Sequence, residues 1–230
     1  MSLDFIWLTF LRLIAALPVT IEVWFLSILF GGFVAACVTW MRVSGILPFS
    51  LFARLFIFIF RGSPLLIQLF IIYYGLPSIP FARHSFLWPF LREPFYCAVL
   101  SLALCTAGYT SEIFRGALAA VPRGQVEAAR ACGMSGFLLF RRIILPIAAR
   151  QALPAYSTEV ISMTKATALV SLITLWDVLS VALKIRNDTL ITYTPLLIAG
   201  AIYYVFNYIL ARVFVWLEYV VSPHLRRRVY

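Results

Sequence analysis

The chain has 230 residues, of which 63% are hydrophobic and 12% charged, with a formal net charge of +10 and a mean hydropathy of +0.97. So much apolar surface with so little charge excludes a disordered chain and argues against a soluble domain or soluble enzyme, and four cysteines are too few for a disulfide scaffold. An all-α integral membrane protein remains, in which the position of the basic residues has to be settled before any nucleic-acid partner is invoked.

Met1-Ser2-Leu3-Asp4 carries no basic n-region, and no small-residue cleavage site follows the first apolar stretch, so an uncleaved N-terminus is expected. The first membrane span is predicted over about residues 17–41, with Pro18 near its start, where a missing N–H costs little. The second, over about 55–76, contains Arg61-Gly62-Ser63-Pro64. Proline removes a helical hydrogen bond and glycine loosens the backbone, so a kink or a short unwound stretch is expected there. Unsatisfied backbone groups cannot face lipid, so an unwound stretch would turn Ser63 and Gln68 toward protein or a water-filled path; a plain proline kink is the alternative.

After a loop with Pro77, Pro80, Pro89 and Pro94, the third span is predicted over about 95–120. The polar stretch 123–150 follows, punctuated by Gly124, Gly133, Gly136 and Pro146 in a way that predicts two short helices joined by a turn. The first, Gln125 to Cys132, would present Ala128, Ala129 and Ala131 to a partner protein. Gly133 would stop it and Ser135 cap the next, which carries an apolar stripe of Phe137, Leu138 and Phe140 beside Arg141 and Arg142. The fourth span, about 153–183, carries Glu159, Lys165 and Asp177, and the fifth covers about 192–217.

Five crossings put the termini on opposite sides, and loop charge chooses the orientation. With the C-terminus cytoplasmic, that side receives Arg42, Arg54, Arg61, Arg115, Arg123, Arg130, Arg141, Arg142, Arg150, Arg212, Arg226, Arg227 and Arg228, while the opposite side has only Arg12, Arg83, Arg92, Lys184 and Arg186. The basic excess is therefore topological, and no nucleic-acid partner is expected.

A charge at mid-bilayer costs on the order of 3 kcal/mol unless it faces partners or water, which makes Lys165, flanked by Thr164 and Thr167, the main pointer to a transport path. Glu159 lies six residues earlier, roughly 240° around the helix, so the two share no face. Glu112 is a second path candidate, with an ion pair to Arg115 three residues on as the alternative. Asp177 and Glu22 fall near outer ends where water can solvate them, and a structural or gating role is expected. His84 and His224 fall on opposite sides, and Cys37, Cys97, Cys105 and Cys132 have no ligand spacing, so no metal site is expected and the cysteines read as packing residues. No catalytic cluster is visible, and no Gly-rich phosphate loop ending in Gly-Lys-Ser or Gly-Lys-Thr is present, so no cofactor is expected on this chain.

Glu127-Ala128-Ala129, three residues, Gly133, nine residues, then Ile143-x-Leu145-Pro146 resembles the EAA loop of ABC-importer permeases at every fixed position. Phe60-Arg61-Gly62-Ser63-Pro64-Leu65-Leu66-Ile67-Gln68 is similar to the Arg-Gly-Thr-Pro-Leu-Leu segment of polar amino acid permeases. Tyr109 to Gly116 and Lys165 to Ser171 resemble the third- and fourth-span signatures of the same group, and the overall look is that of the M-type subunits of histidine and opine (octopine or nopaline) uptake systems. The resemblance implies a type I importer permease fold in one transmembrane domain over residues 1–230, in a bacterial inner membrane. Glu127, Ala128, Ala129, Gly133, Ile143, Leu145 and Pro146 would couple to a cytoplasmic ATPase dimer. A second, similar permease subunit would complete a heterodimer, and a periplasmic binding protein would deliver an amino acid or opine. The alternatives are a permease for another small solute, or an ATP-independent channel or secondary transporter. One departure limits the substrate expectation: many such permeases carry an acid directly after the fourth-span lysine, where this chain has Ala166. The second subunit, Glu159 or Glu112 would then supply that acid, or the ligand itself would carry more carboxylate, as an opine does.

Overall fold

A computed structural model describes residues 3–86 and 88–221. His224, Arg226, Arg227 and Arg228 lie outside the described residues. Among those described, the ordered elements are helical. In hydrocarbon a helix satisfies all its backbone groups within itself, which is why so apolar a sequence folds this way.

Helix α1 (Leu3–Val43) is unbroken, and at ~1.5 Å per residue its 41 residues extend ~61 Å, about twice a hydrocarbon core. The helix thus begins well ahead of the expected span start near Leu17, with Pro18 inside it. The residues ahead of it are held in helix by packing, since Leu13 and Ala16 are buried against Val178, Ala182, Ala199 and Ile202. Helix α2 (Leu47–Gly62) ends at Ser63, and α3 (Leu65–Phe70) continues through a wider turn at Ile71–Gly75 and a tighter one to Ser78. The two halves meet at 104°, far more than a plain proline kink. Two short helices, α4 (Pro80–Arg83) and α5 (Trp88–Leu91), lead to α6 (Pro94–Ala119).

Helix α7 (Arg123–Ala131) is followed by α8 (Gly136–Leu139), which runs through a π turn at Phe140–Ile144 straight into α9 (Leu145–Ala166). The second short helix expected here is therefore the lower end of the next long one. Pro146 cannot donate an N–H, and the wide turn just before it absorbs that loss without ending the helix. A tight helical stretch carries α9 on to Ile173; after a 49° bend come α10 (Val178–Thr189) and then α11 (Tyr193–Val221). Among the described residues three helices, α1, α6 and α11, are long and apolar enough to cross a membrane unaided, and two bent pairs reach that length when each is taken as one span.

α1 and α6 run side by side in the same direction. Ser27 Oγ donates to the Val99 carbonyl at 3.5 Å and Thr39 Oγ1 to the Ser111 carbonyl at 3.1 Å, and Gly31 sits against Ala103 between them. Ser27, Gly31, Ala35 and Thr39 recur every four residues and are all buried. Small residues on one stripe let two backbones approach closely, which is how helices associate where apolar burial gives no preference over lipid. Val23, Leu102, Met163, Val170 and Ile173 bind this pair to α9, and Leu69 adds α3. In contrast α11 shows Leu197, Tyr204, Tyr208 and Trp216 outward, a surface suited to lipid.

Candidate functional site

Thr106, Tyr109 and Glu112 recur every three residues of α6 and form a slanted polar stripe along it. Thr106 Oγ1 donates to Glu159 Oε1 of α9 at 2.9 Å. The Arg61 guanidinium, from the end of α2, lies 5.2 Å from the centroid of the Tyr109 ring, a cation–π contact. Glu112 accepts from Arg115 Nε at 2.8 Å and faces Arg115 Nη2 at 2.7 Å, while Arg42 Nε of α1 stands 3.9 Å away. Charge therefore alternates down the stripe, from Glu159 to Arg61 to Glu112 to the Arg42 and Arg115 pair. Such a ladder, set in a helix pair of membrane length, can hand a charged or zwitterionic solute from one partner to the next without leaving it unpaired.

The other candidates fall in different settings. Gln68 is buried and its amide nitrogen lies 3.0 Å from the Phe60 and Ser63 carbonyls and 2.9 Å from Ser63 Oγ. These carbonyls lose helical partners at the break, so Gln68 braces the bend rather than lining an open path, and Ser63 Oγ donates back to the Ile59 carbonyl at 2.7 Å. Thr167 is also fully buried, donating to the Thr164 carbonyl at 2.7 Å, and so does not line a path in this structure. Lys165, by contrast, is exposed at the end of α9 and makes no ion pair among the described residues. Glu159 and Lys165 do face different ways, the first inward to Thr106 and the second outward.

Asp177 corrects the expectation of a water-solvated group, because it is fully buried. The break before α10 leaves that helix's first N–H groups unpaired, and the Asp177 carboxylate accepts from Ser180 N at 2.9 Å and Leu179 N at 3.2 Å. Tyr203 OH of α11 donates to it at 3.1 Å, so the acid ties α10 to α11, and beside it Thr20 of α1 accepts from Val178 N at 3.2 Å and brings α1 to the same bend. Cys97 and Cys105 are buried packing groups, whereas Cys37 and Cys132 are exposed.

The second polar region is α7 and its turn. Gly133 has φ +81, and its N–H bonds the Arg130 carbonyl at 2.9 Å while Met134 N–H bonds that of Ala129 at 3.0 Å. This paired arrangement closes a helix end on a left-handed residue, which glycine adopts without cost. Ser135 occupies the cap position of α8 but makes no side-chain cap bond. Glu127, Ala128 and Ala131 are exposed, whereas Ala129 faces inward and is not part of the outward knob. Ile143 is half-buried, and Leu145 and Pro146 are exposed, so the α7 turn and the start of α9 offer a combined surface. Beside it is a cleft of about 290 Å³ walled by Val121, Val126, Ile144, Arg123, Glu127 and Arg130.

Arg61, Thr106 and Tyr109 were not singled out for the path by the sequence reading. Arg61 read as a loop charge, and its partner on α6 is 48 residues away; the three-residue recurrence of polar groups on α6 was the available signal.

Residues 27–222 match the family described as binding-protein-dependent transport system inner membrane component. The chain is 48% identical over 222 residues to the octopine transport system permease protein OccM of Rhizobium radiobacter, covering 96% of this chain and 91% of that protein. It is 44% identical to the nopaline transport system permease protein NocM of Agrobacterium fabrum, covering 100% and 95%, and 41% identical to the histidine/lysine/arginine/ornithine permease protein HisM of Salmonella typhimurium, covering 89% and 90%. Among solved structures, one described as an amino acid ABC transporter with histidines superposes with a TM-score of 0.82 at 33% identity, covering 95% of this chain and 99% of that one. The inward-facing MetNI methionine ABC transporter gives a TM-score of 0.68 at 18% identity, a likeness of fold alone.

Proposed function

We propose, from the fact that this chain belongs to the binding-protein-dependent transport system inner membrane component family, that it is the permease subunit of an ATP-driven importer of polar or basic amino acids or opines. It is a transport component rather than an enzyme. It crosses the inner membrane five times with its C-terminus cytoplasmic, pairs with a second, similar permease subunit as a heterodimer, and receives substrate from a periplasmic binding protein. Identity with the octopine, nopaline and histidine permeases supports this substrate class.

The observation that carries the reading is α7 with its Gly133 stop: a short, exposed helix presenting Glu127 and Ala128, continuous through the 133–136 turn with the base of α9. In this reading α7 sits in a cytoplasmic ATPase dimer, which uses ATP and Mg; closure of that dimer pushes α7, and the rigid run from Gly136 to Ile173 carries the movement to Glu159 and Lys165. Alternating access then exposes the α6 stripe first to one side and then to the other. The substrate path comprises Glu159, Arg61, Glu112 and Lys165, with Ser63, Gln68 and Thr167 holding the backbone around it. Glu127→Lys and Gly133→Asp are expected to leave the protein inserted while abolishing binding-protein-stimulated ATP hydrolysis and uptake in proteoliposomes. Normal stimulated hydrolysis and uptake in both variants would refute the assignment.

A further inference from the structure

Helix α2 does not follow the direction of its neighbours. The register of α1 against α6 is constant, with Ser27 beside Val99 and Thr39 beside Ser111, so the pair serves as a depth scale at ~1.5 Å per residue. Near the start of α2, Phe49 packs on Trp40, whose depth on that scale is that of Glu112 in α6. Near its end, Phe60 and Arg61 meet Gly108 and Tyr109. About 17 Å of α2 thus climbs only ~5 Å along α6, an inclination of roughly 20° to the plane across it. The 104° angle with Leu65–Ser78 is what a flat helix joined to an upright one produces.

The depth itself is informative. Pro94 to Ser111 of α6 is free of charge, and Glu112 and Arg115 follow, so α2 lies where hydrocarbon gives way to polar surroundings. Its faces suit that place. Ala53 is buried and Phe60 packs against Gly108, while Leu51, Phe52, Leu55, Phe58 and Ile59 form one continuous exposed face. Arg54 is exposed at the edge of that face, Arg61 lies seven residues on along the same edge, and no acidic residue occurs on the helix.

We propose that α2 is an interfacial helix: it beds its exposed apolar face in the leaflet on the side of residues 123–150, and Arg54 holds the headgroup of an anionic phospholipid there. Charge argues for that occupant: Arg54 is exposed and makes no ion pair among the described residues, and a phosphate headgroup supplies the missing opposite charge, while coverage of this face by the partner permease subunit is the outcome the test below separates. The choice of cytoplasmic leaflet rests on the orientation proposed above.

The test uses the whole transporter, both permease subunits with ATPase and binding protein, in vesicles of phosphatidylcholine with and without phosphatidylglycerol. Nitroxides are placed at Leu55→Cys and Phe58→Cys after replacing Cys37, Cys97, Cys105 and Cys132 by serine. Both labels are expected to be open to oxygen and shielded from a water-soluble nickel chelate, to move deeper when phosphatidylglycerol is added, and to lose that shift with Arg54→Gln. Labels shielded from both reagents would mean a protein partner covers α2, and labels open to the chelate would mean solvent does; either overturns the proposal. A phosphatidylglycerol shift that is absent, or that survives Arg54→Gln, overturns the headgroup site. Binding-protein-stimulated ATP hydrolysis in the same unlabelled vesicles separates these failures from a failure of the importer reading.

Discussion

Replacing Gly31 by alanine adds one methyl group where α1 crosses α6. A Cβ there comes 2.2 Å from Thr106 Cγ2 and 2.9 Å from the Ala103 carbonyl oxygen. Non-bonded carbons pack at ~3.5–4.0 Å, so more than ~1 Å has to be found. The carbonyl cannot yield without moving α6. Thr106 can turn its methyl aside, but its hydroxyl donates to Glu159 at 2.9 Å, and turning surrenders that bond to a half-buried carboxylate. Parting the helices instead strains the Ser27 and Thr39 bonds on either side. Overpacking costs ~1–3 kcal/mol, and a lost hydrogen bond to a charged group ~1.5–3 kcal/mol, so either route costs about 2 kcal/mol. Thermal unfolding of the purified transporter in detergent is expected to fall by roughly 5 °C, and uptake in proteoliposomes to fall with it because Glu159 heads the polar stripe. Gly32→Ala is the control, since its Cβ meets only Tyr156 OH, at an ordinary 3.8 Å. A wild-type midpoint and uptake for Gly31→Ala, or equal damage from Gly32→Ala, would refute the reasoning.

Asp177→Ala removes the α10 cap and leaves Tyr203 OH without its acceptor, for an expected loss of about 3 kcal/mol, against about 1 kcal/mol for Tyr203→Phe; matching melting curves for the two would show that Asp177 is not the common anchor. Gln68→Leu strands the Phe60 and Ser63 carbonyls at the α2–α3 break and is expected to lower stability by ~1–3 kcal/mol, which chemical denaturation reads directly. Lys165→Ala is expected to lower uptake of octopine, nopaline, arginine and histidine while leaving the melting temperature in place, because the side chain is exposed and makes no ion pair among the described residues. Unchanged uptake of every substrate would remove it from the path.

Composition and the spacing of punctuating residues were enough for the membrane class, the limits of α6 and α11 to within a few residues at most ends, and the stop at Gly133. Each of these is a local matter: a long uncharged run has nowhere else to go but lipid, and a left-handed helix end calls for glycine. The spacing of residues 127–146 is a local pattern of the same kind, readable without any distant contact. Contacts between distant segments were not. Asp177 looked solvated because nothing near it in sequence declares that Tyr203 of α11 bonds its carboxylate, and the full burial of Thr167 leaves no mark on its neighbours in sequence.

The size of the turn after α2, 104°, the early start of α1 and the gathering of Arg61, Tyr109, Thr106 and Glu159 were decided by tertiary packing. Chain chemistry states which groups cannot be left in lipid unpaired. Only the approach of α1 to α6 through its small residues, and of α2 and α9 onto the same helix, determines which group each of them meets.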